Sequence, residues 1–287
     1  MIRLMTHADI PAAMRLKESA GWNQTAHDWE NLLAIEPEGC WVYEALETPG
    51  NSKSIVGSAT IVCYGRVLAW IGMVLVLPEF RRQGIARQLM QHALRYAGQR
   101  GVARVALDAT SMGEPLYRDL GFEADMAIER WEGVAPVAAD SGEDAERPQA
   151  ATEMRLDQLA HLDERAFGAD RRILLERLIL SAAPTDCWTA RGGYLLARPG
   201  SNAYFLGPCV AEEPPVARRL LQALFTTHRS RRFFWDLLPE NNAARDLAAS
   251  FGFRCARSLT RMSRPAASLA APPRIAWQYA AAGFEYG

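Results

Sequence analysis

No run of about 18 consecutive apolar residues occurs in this sequence, so no stretch can cross a bilayer as a single helix. There is no C-x-x-C pair, and the five cysteines (Cys40, Cys63, Cys187, Cys209, Cys255) lie far apart and have no partnering histidine spacing. An odd, dispersed set suits reduced, mostly buried thiols in a cytoplasm, and it excludes a disulfide framework and a zinc site. The N-terminus, Met1-Ile2-Arg3-Leu4, lacks the basic segment and long apolar core of a secretory signal. Net charge is also absent. With 32 Lys and Arg against 33 Asp and Glu, the balance is −1, which indicates neither nucleic acid nor an anionic membrane as partner. Two nucleotide fingerprints are missing as well: G-x-G-x-x-G, and the G-K-[ST] ending that places a lysine and a hydroxyl on phosphate and Mg²⁺.

What is present is material for two cores, since 49% of 287 residues are apolar and 23% charged. Past Trp131 the text turns to Ala, Pro, Gly and acids, a linker composition. The expected division is therefore residues 1–132, a linker at 133–150, and residues 151–287. In the first part, helical periodicity covers Asp9 to Ala20, and Thr25 reads as the N-cap of a second short helix. Three β-rich runs follow, Cys40 to Ala45, Ile55 to Tyr64 and Val67 to Leu77. After them come a helix from Ile85, a strand Ala103 to Asp108, a short helix begun by Pro115, and a last strand after Gly121-Phe122. The second part runs through the same order.

That order is a repeat. Gly121-Phe122 and Gly252-Phe253 are 131 residues apart, as are Arg130 and Arg261, and the same offset sets Ala86–Gln91 against Ala217–Gln222. It also sets Glu212 and Glu213 against Arg81 and Arg82, Pro215 against Gly84, and Ala248 against Tyr117. Carboxylates and a proline where the first copy has arginines and glycine repel phosphate and remove an N–H donor. The second copy is expected to be degenerate.

The chemistry centres on Met73 to Arg95. An apolar strand empties through Pro78 into a basic turn, Arg81-Arg82-Gln83-Gly84-Ile85-Ala86, that opens an amphipathic helix. Unpaired N–H groups and the helix dipole favour an anion there, and glycine lets the backbone approach it closely. The turn has the form R-x-x-G-x-A, and here the sequence resembles the GNAT acyltransferase superfamily. The resemblance implies that acetyl-CoA is the cosubstrate. Val74, Leu75 and Val76 would pair with its pantetheine arm, and Arg81, Arg82, Gln83, Gly84, Ile85, Ala86 and Arg87 would hold its pyrophosphate. Pro115-Leu116-Tyr117-Arg118-Asp119-Leu120-Gly121-Phe122 matches the superfamily's Y-x-x-x-G-F element, in which the tyrosine protonates the departing thiolate. That role falls on Tyr117. Further stretches (GWNQTAHDW from Gly21, WIGMVLV from Trp70, LDATSMGEPLY from Leu107, and Gly283-Phe284-Glu285-Tyr286-Gly287) resemble a bacterial subgroup in which a degenerate GNAT-like domain follows the catalytic one.

An attacking amine must shed a proton, and Asp108, at the end of its strand, is the base expected here, though an aspartate there equally suits a loop cap. Glu44 and His27 are lesser candidates, and His92 reads as a surface residue. Trp22, Asn23, Asp28 and Trp29 fall where the segment between the first two helices borders the acceptor site in GNAT folds, and tryptophans beside a carboxylate suit a cationic amine. The expected fold is α+β, two tandem GNAT-type domains, each a mixed, mostly antiparallel sheet flanked by helices. The expected function is transfer of an acetyl group to the primary amine of a small molecule by direct attack in a ternary complex, with no metal, nucleic acid or membrane partner, in a monomer or homodimer. The second copy, through Arg171 or the terminal Gly283–Gly287 stretch, would complete the acceptor pocket. A non-catalytic acyl-CoA sensor and a protein N-acetyltransferase are the alternatives.

Overall fold

Helix and strand segments fall in the same order in both halves of the chain. In the computed structural model, which describes residues 1–46, 53–136, 148–150, 156–265 and 273–287, the first half contains β1 (Ile2–Leu4), α1 (Ile10–Ser19), α2 (Ala26–Ile35), β2 (Cys40–Leu46), β3 (Lys53–Tyr64), β4 (Leu68–Val76), α3 (Ile85–Gln99), β5 (Arg104–Ala109), α4 (Glu114–Asp119) and β6 (Glu123–Val134). The second half answers with β7 (Gln149–Ala150), α5 (Leu156–Phe167), α6 (Arg172–Ser181), β8 (Cys187–Ala190), β9 (Gly193–Arg198), β10 (Tyr204–Ala211), α7 (Pro214–Thr227), β11 (Arg232–Leu237), α8 (Asn242–Ser250) and β12 (Arg254–Pro265), and adds β13 (Gln278–Ala280). The α+β tandem expected from the sequence is present. β6 continues through Val134, beyond the start proposed for the linker, and residues 137–147 of that linker lie outside the described residues.

The two halves do not keep separate sheets. The strand order is β1-β2-β3-β4-β5-β12-β6-β11-β10-β9-β8-β7, so each half's last strand completes the sheet of the other. β12 lies antiparallel between β5 and β6, and β6 lies antiparallel between β12 and β11. The exchange sets Arg261 opposite Asp108 and Arg130 opposite Asp236. Both arginines fork onto the facing carboxylate, at 2.9 and 3.0 Å in the first pair and at 2.7 and 2.6 Å in the second.

Helices cover the sheet through apolar stripes of helical period. α3 buries Ile85, Leu89, Met90, Ala93 and Ala97 against β3 and β4, and α7 buries Val216, Ala217, Leu220, Leu221, Leu224 and Phe225 in the same way on its own half. Truncating Leu89, which is wholly buried, to Ala would cost about 2–5 kcal/mol through lost burial and the cavity left behind. A third core is shared: Trp29, Leu32 and Leu33 of α2 lie in one apolar cluster with Leu174, Leu175 and Leu178 of α6. Together, the shared core and the exchanged strands fix the halves against each other.

Candidate active site

β4 and β5 pair in parallel only from Leu68 to Trp70, opposite Arg104 to Ala106, and then splay apart. At the fork β4 carries one extra residue between Gly72 and Leu75, opposite Thr60 and Ser58 of β3. Met73 sits there at φ 51°, and its carbonyl is satisfied by the Ser58 hydroxyl at 2.8 Å. Beyond Trp70 the β5 side of β4 has no strand partner among the described residues, and Val74, Leu75 and Val76 border a cleft of about 520 Å³.

One end of the cleft meets the N-terminus of α3. Gly84 is its N-cap at φ 79°, in the left-handed region, and no side chain caps the first turn. Arg81, Arg82, Gln83 and Gly84 are exposed, and Arg82 is also left-handed at φ 60°. Arg81 and Ala86 line the cleft, and the Arg81 side chain returns to the Val76 carbonyl at 3.1 Å. The expected contacts run through the loop amides, and two side chains of the turn point away from the cleft. The Ile85 side chain is in the core, and Arg87 pairs with Asp119 at 2.9 Å on the surface.

Tyr117, on α4, lines the same cleft, and its hydroxyl has no protein partner among the described residues. Burial pushes its phenol up to about 12, which keeps the proton on at neutral pH. The ring lies against Gly113, where an added Cβ would fall 2.9 Å from a ring carbon, so glycine is what admits the tyrosine.

Asp108 also borders the cleft, but both its oxygens are taken by Arg261, and the carboxylate is fully buried. An open base was expected there. The exchanged strand puts a guanidinium opposite it instead, and the structure gives no bond from Asp108 to Thr110 that would make it a loop cap. Three of the four expected acceptor residues are likewise committed to structure. Asn23 clasps the second half by donating to the Ala203 carbonyl at 3.0 Å and accepting from the N–H groups of Asn202 and Ala203 at 2.8 and 3.0 Å. Asp28 caps α2 through Thr25 and accepts from Arg198 at 2.9 Å. Trp29 is wholly inside the shared core. Trp22 alone of the four lines the cleft, beside Gln24. Of the lesser base candidates, Glu44 pairs with Arg3 and His27 with Glu30. Arg171 is buried and holds Asp163 and the Gly287 carbonyl, so it anchors the tail.

Sequence reasoning missed Gln24 and Arg257 at the cleft and flagged Phe284 and Glu285 only as part of a tail motif. All four border it. Among the described residues, no group of three or more His, Cys, Asp or Glu side chains is placed to hold a metal, and no helix is long and apolar enough to cross a membrane.

In the second half the corresponding space is filled. β10 and β11 pair only from Tyr204 to Leu206, opposite Phe233 to Trp235, and the gap beyond is occupied by β13, which pairs with β10 at Cys209 and Val210. Only Glu212 and Glu213 separate β10 from α7, which opens with Pro214 and Pro215.

Sequence comparison matches residues 10–122 to the acetyltransferase (GNAT) family and residues 159–274 to an acetyltransferase (GNAT) domain. The uncharacterized N-acetyltransferase YitH of Bacillus subtilis is 26% identical over 251 residues, spanning 85% of this chain and 84% of its own. Among solved structures, a candidate acetyltransferase from Pyrococcus horikoshii superposes with a TM-score of 0.82 at 22% identity, over 100% of this chain and 95% of that one. A GCN5-related N-acetyltransferase from Sphaerobacter thermophilus gives 0.66 at 18% identity, over 93% and 96%. With a family match in each half and a relative along 85% of its length, the chain belongs to the GNAT acetyltransferase superfamily and carries its fold twice.

Proposed function

We propose that the first half binds acetyl-CoA in the cleft between β4 and β5 and transfers its acetyl group to the primary amine of a small molecule within a ternary complex. The observation that carries this reading is the Tyr117 hydroxyl, protonated and without a protein partner, lining the same cleft as the unpaired edge of β4 and the uncapped end of α3. The residues present fit the cosubstrate. Free N–H groups at the start of α3, with Arg81 and Arg82 beside them, suit a pyrophosphate. The open edge of Val74, Leu75 and Val76 suits an amide-bearing arm laid along a strand. Acetyl-CoA supplies the acetyl thioester. In this reading backbone N–H groups at the β4 bulge polarise the thioester carbonyl, and Tyr117 gives the departing sulfur its proton.

Asp108 takes a positioning part in this reading. Its pair with Arg261 ties the cleft to the exchanged strand, and its charge is matched one-to-one by a buried guanidinium. A cleft lined from both halves of the chain, by Trp22 of the first and Phe284 and Glu285 of the second, supports a small acceptor over a protein side chain. Incubating the purified protein with acetyl-CoA and a pool of amine metabolites, read by mass spectrometry, tests the activity. A mass gain on a small amine is the expected result. Acetylation of protein alone supports the protein-acetyltransferase alternative, and tight CoA binding with no acetylated product supports a sensor.

A further inference from the structure

After β13 the chain leaves the second half and enters the first. The Phe284 carbonyl accepts from the Trp70 indole at 3.0 Å, and the Tyr286 carbonyl accepts from the Tyr64 hydroxyl at 2.7 Å. Between them, Glu285 lies over Gly72. A Cβ built on that glycine would fall 2.8 Å from the Glu285 Cα and 3.1 Å from its carbonyl oxygen. Gly72 stands at the fork, just past the last β4–β5 pair and just before the bulge at Met73. The tail therefore delivers a carboxylate to the throat of the cleft, beside the backbone that would face a thioester.

The surroundings of that carboxylate are charged and almost dry. Its side chain is only 2% exposed, yet it borders the cleft. One oxygen accepts from Arg198 at 2.7 Å and the other from Gln24 at 2.7 Å. Arg198 is shared, since it also donates to Asp28 at 2.9 Å. Two carboxylates thus face one guanidinium, and the group carries one uncompensated negative charge when both are ionised. At low local dielectric, that charge attracts an ammonium and is relieved by taking up a proton.

We propose that Glu285, supplied by the second half, is the catalytic base of the first half's site and the residue that receives the acceptor's ammonium group. This rests on the acetyltransferase reading above and names the part of the site that reading leaves open. In the transfer, the acceptor nitrogen gains a bond to the acetyl carbon as the carbon–sulfur bond breaks. It sheds two protons while the sulfur takes up one. Glu285 receives the first and passes it to water through the cleft, and the second replaces the proton that Tyr117 gives to sulfur. One proton is released overall.

Burial, with Asp28 adding to it, pushes the Glu285 carboxyl up, against Arg198 and Gln24, which hold it down, and the net direction is up. The remaining charged groups at the cleft are the Arg130–Asp236 and Arg261–Asp108 pairs, Arg81 and Arg257.

The test uses the full chain with phenethylamine and 1,4-diaminobutane as probe amines. Carbonyl-¹³C glutamate labelling, with Glu285→Gln to assign the resonance, follows the carboxyl directly. Its midpoint in the free protein is expected above the ordinary glutamate value of about 4.3 and is expected to fall when phenethylammonium binds. Where a probe amine turns over, Glu285→Gln is expected to lower kcat by about 10²–10⁴-fold and flatten the acid limb of the pH profile, while CoA affinity by calorimetry is unchanged. A midpoint at or below the ordinary value, or a variant whose acid limb and kcat match the wild type, overturns the proposal. Loss of stability with an unmoved pH profile also overturns it, because a tail anchor alone behaves that way. Failure of the underlying reading looks different: the wild type would then bind no CoA or acetylate no amine.

Discussion

Arg261 of the second half forks onto Asp108 of the first, with Nε and a terminal nitrogen 2.9 and 3.0 Å from the two carboxylate oxygens, and Arg130 with Asp236 repeats the pair with the halves reversed. The two pairs lie on the exchanged strands, one per half, with Arg261 facing Met126 of β6 and Arg130 facing Arg257 of β12, and all four side chains are buried. Removing one partner leaves the other charge buried without compensation, whereas replacing both by apolar residues does not. Arg261→Met is therefore expected to destabilise the protein by about 3–5 kcal/mol in urea unfolding, and Asp108→Leu with Arg261→Met to recover most of that loss. The double variant also tests the part given to Asp108. Should it fold well and still lose more than about a hundredfold in kcat, Asp108 would be acting as a base after all.

Tyr117→Phe removes the hydroxyl and keeps the ring against Gly113 and Phe122. The expected result is a fall in kcat of about 10²–10⁴-fold with CoA affinity unchanged. The pH dependence has a definite sign. An acid is useful only while protonated, and burial holds this phenol's proton on up to about 12. Loss of activity on the alkaline side should therefore begin well above the ordinary tyrosine value of about 10. An alkaline limb near or below 9 that vanishes in Tyr117→Phe would contradict the buried, unpaired phenol.

Gly84 holds a left-handed backbone at φ 79°, with nothing but the far end of Gln88 near an added Cβ. Space is not the obstacle to alanine there, but conformation is, at about 1–2 kcal/mol. Gly84→Ala should weaken CoA binding by roughly 5–30-fold if that energy is felt at the loop, with kcat little changed at saturating cosubstrate. Calorimetry on wild type and variant reads the difference. Equal affinities would remove this turn from the binding site.

One CoA per chain is expected from titration calorimetry, because β13 fills the second fork and a turn of two glutamates meets a helix opened by two prolines. Glu212→Arg alone should leave the stoichiometry at one, since the strand and not the charge occupies the space. Two sites per chain would show that β13 leaves its place.

The local features were legible because each is set by neighbours in the chain. The turn from Arg81 to Ala86, the α3 stripe and the Tyr117–Gly121–Phe122 element carry their own geometry in turn chemistry and period. The 131-residue echo exposed the tandem, and it even marked Arg130 and Arg261 as equivalent. What no periodicity reports is which half a strand pairs with. Asp108 reads as an exposed strand end until β12 brings Arg261 opposite it from 153 residues away. Asn23 and Asp28 read as acceptor ligands until loop 200–203 and Arg198 occupy them. The same long-range folding brings Glu285 to Gly72, so the expectations lost at the acceptor end and the residue gained there have one physical origin.

Gly72 offers the sharpest test of that origin. Both nearest atoms to an added Cβ belong to the tail backbone at Glu285, so a methyl group there cannot be absorbed by a side chain turning away. The tail must shift. Displacement of a reacting group by about 1 Å can cost on the order of a hundredfold in rate. Gly72→Ala is thus expected to lower kcat/KM for the amine by about 10–100-fold while CoA affinity holds. Gly98→Ala, in the last turn of α3 with open space around it, is the matched control and should be neutral or stabilise by at most about 0.5–1 kcal/mol. Unchanged amine kinetics in Gly72→Ala would show that Glu285 does not need its present place over the fork.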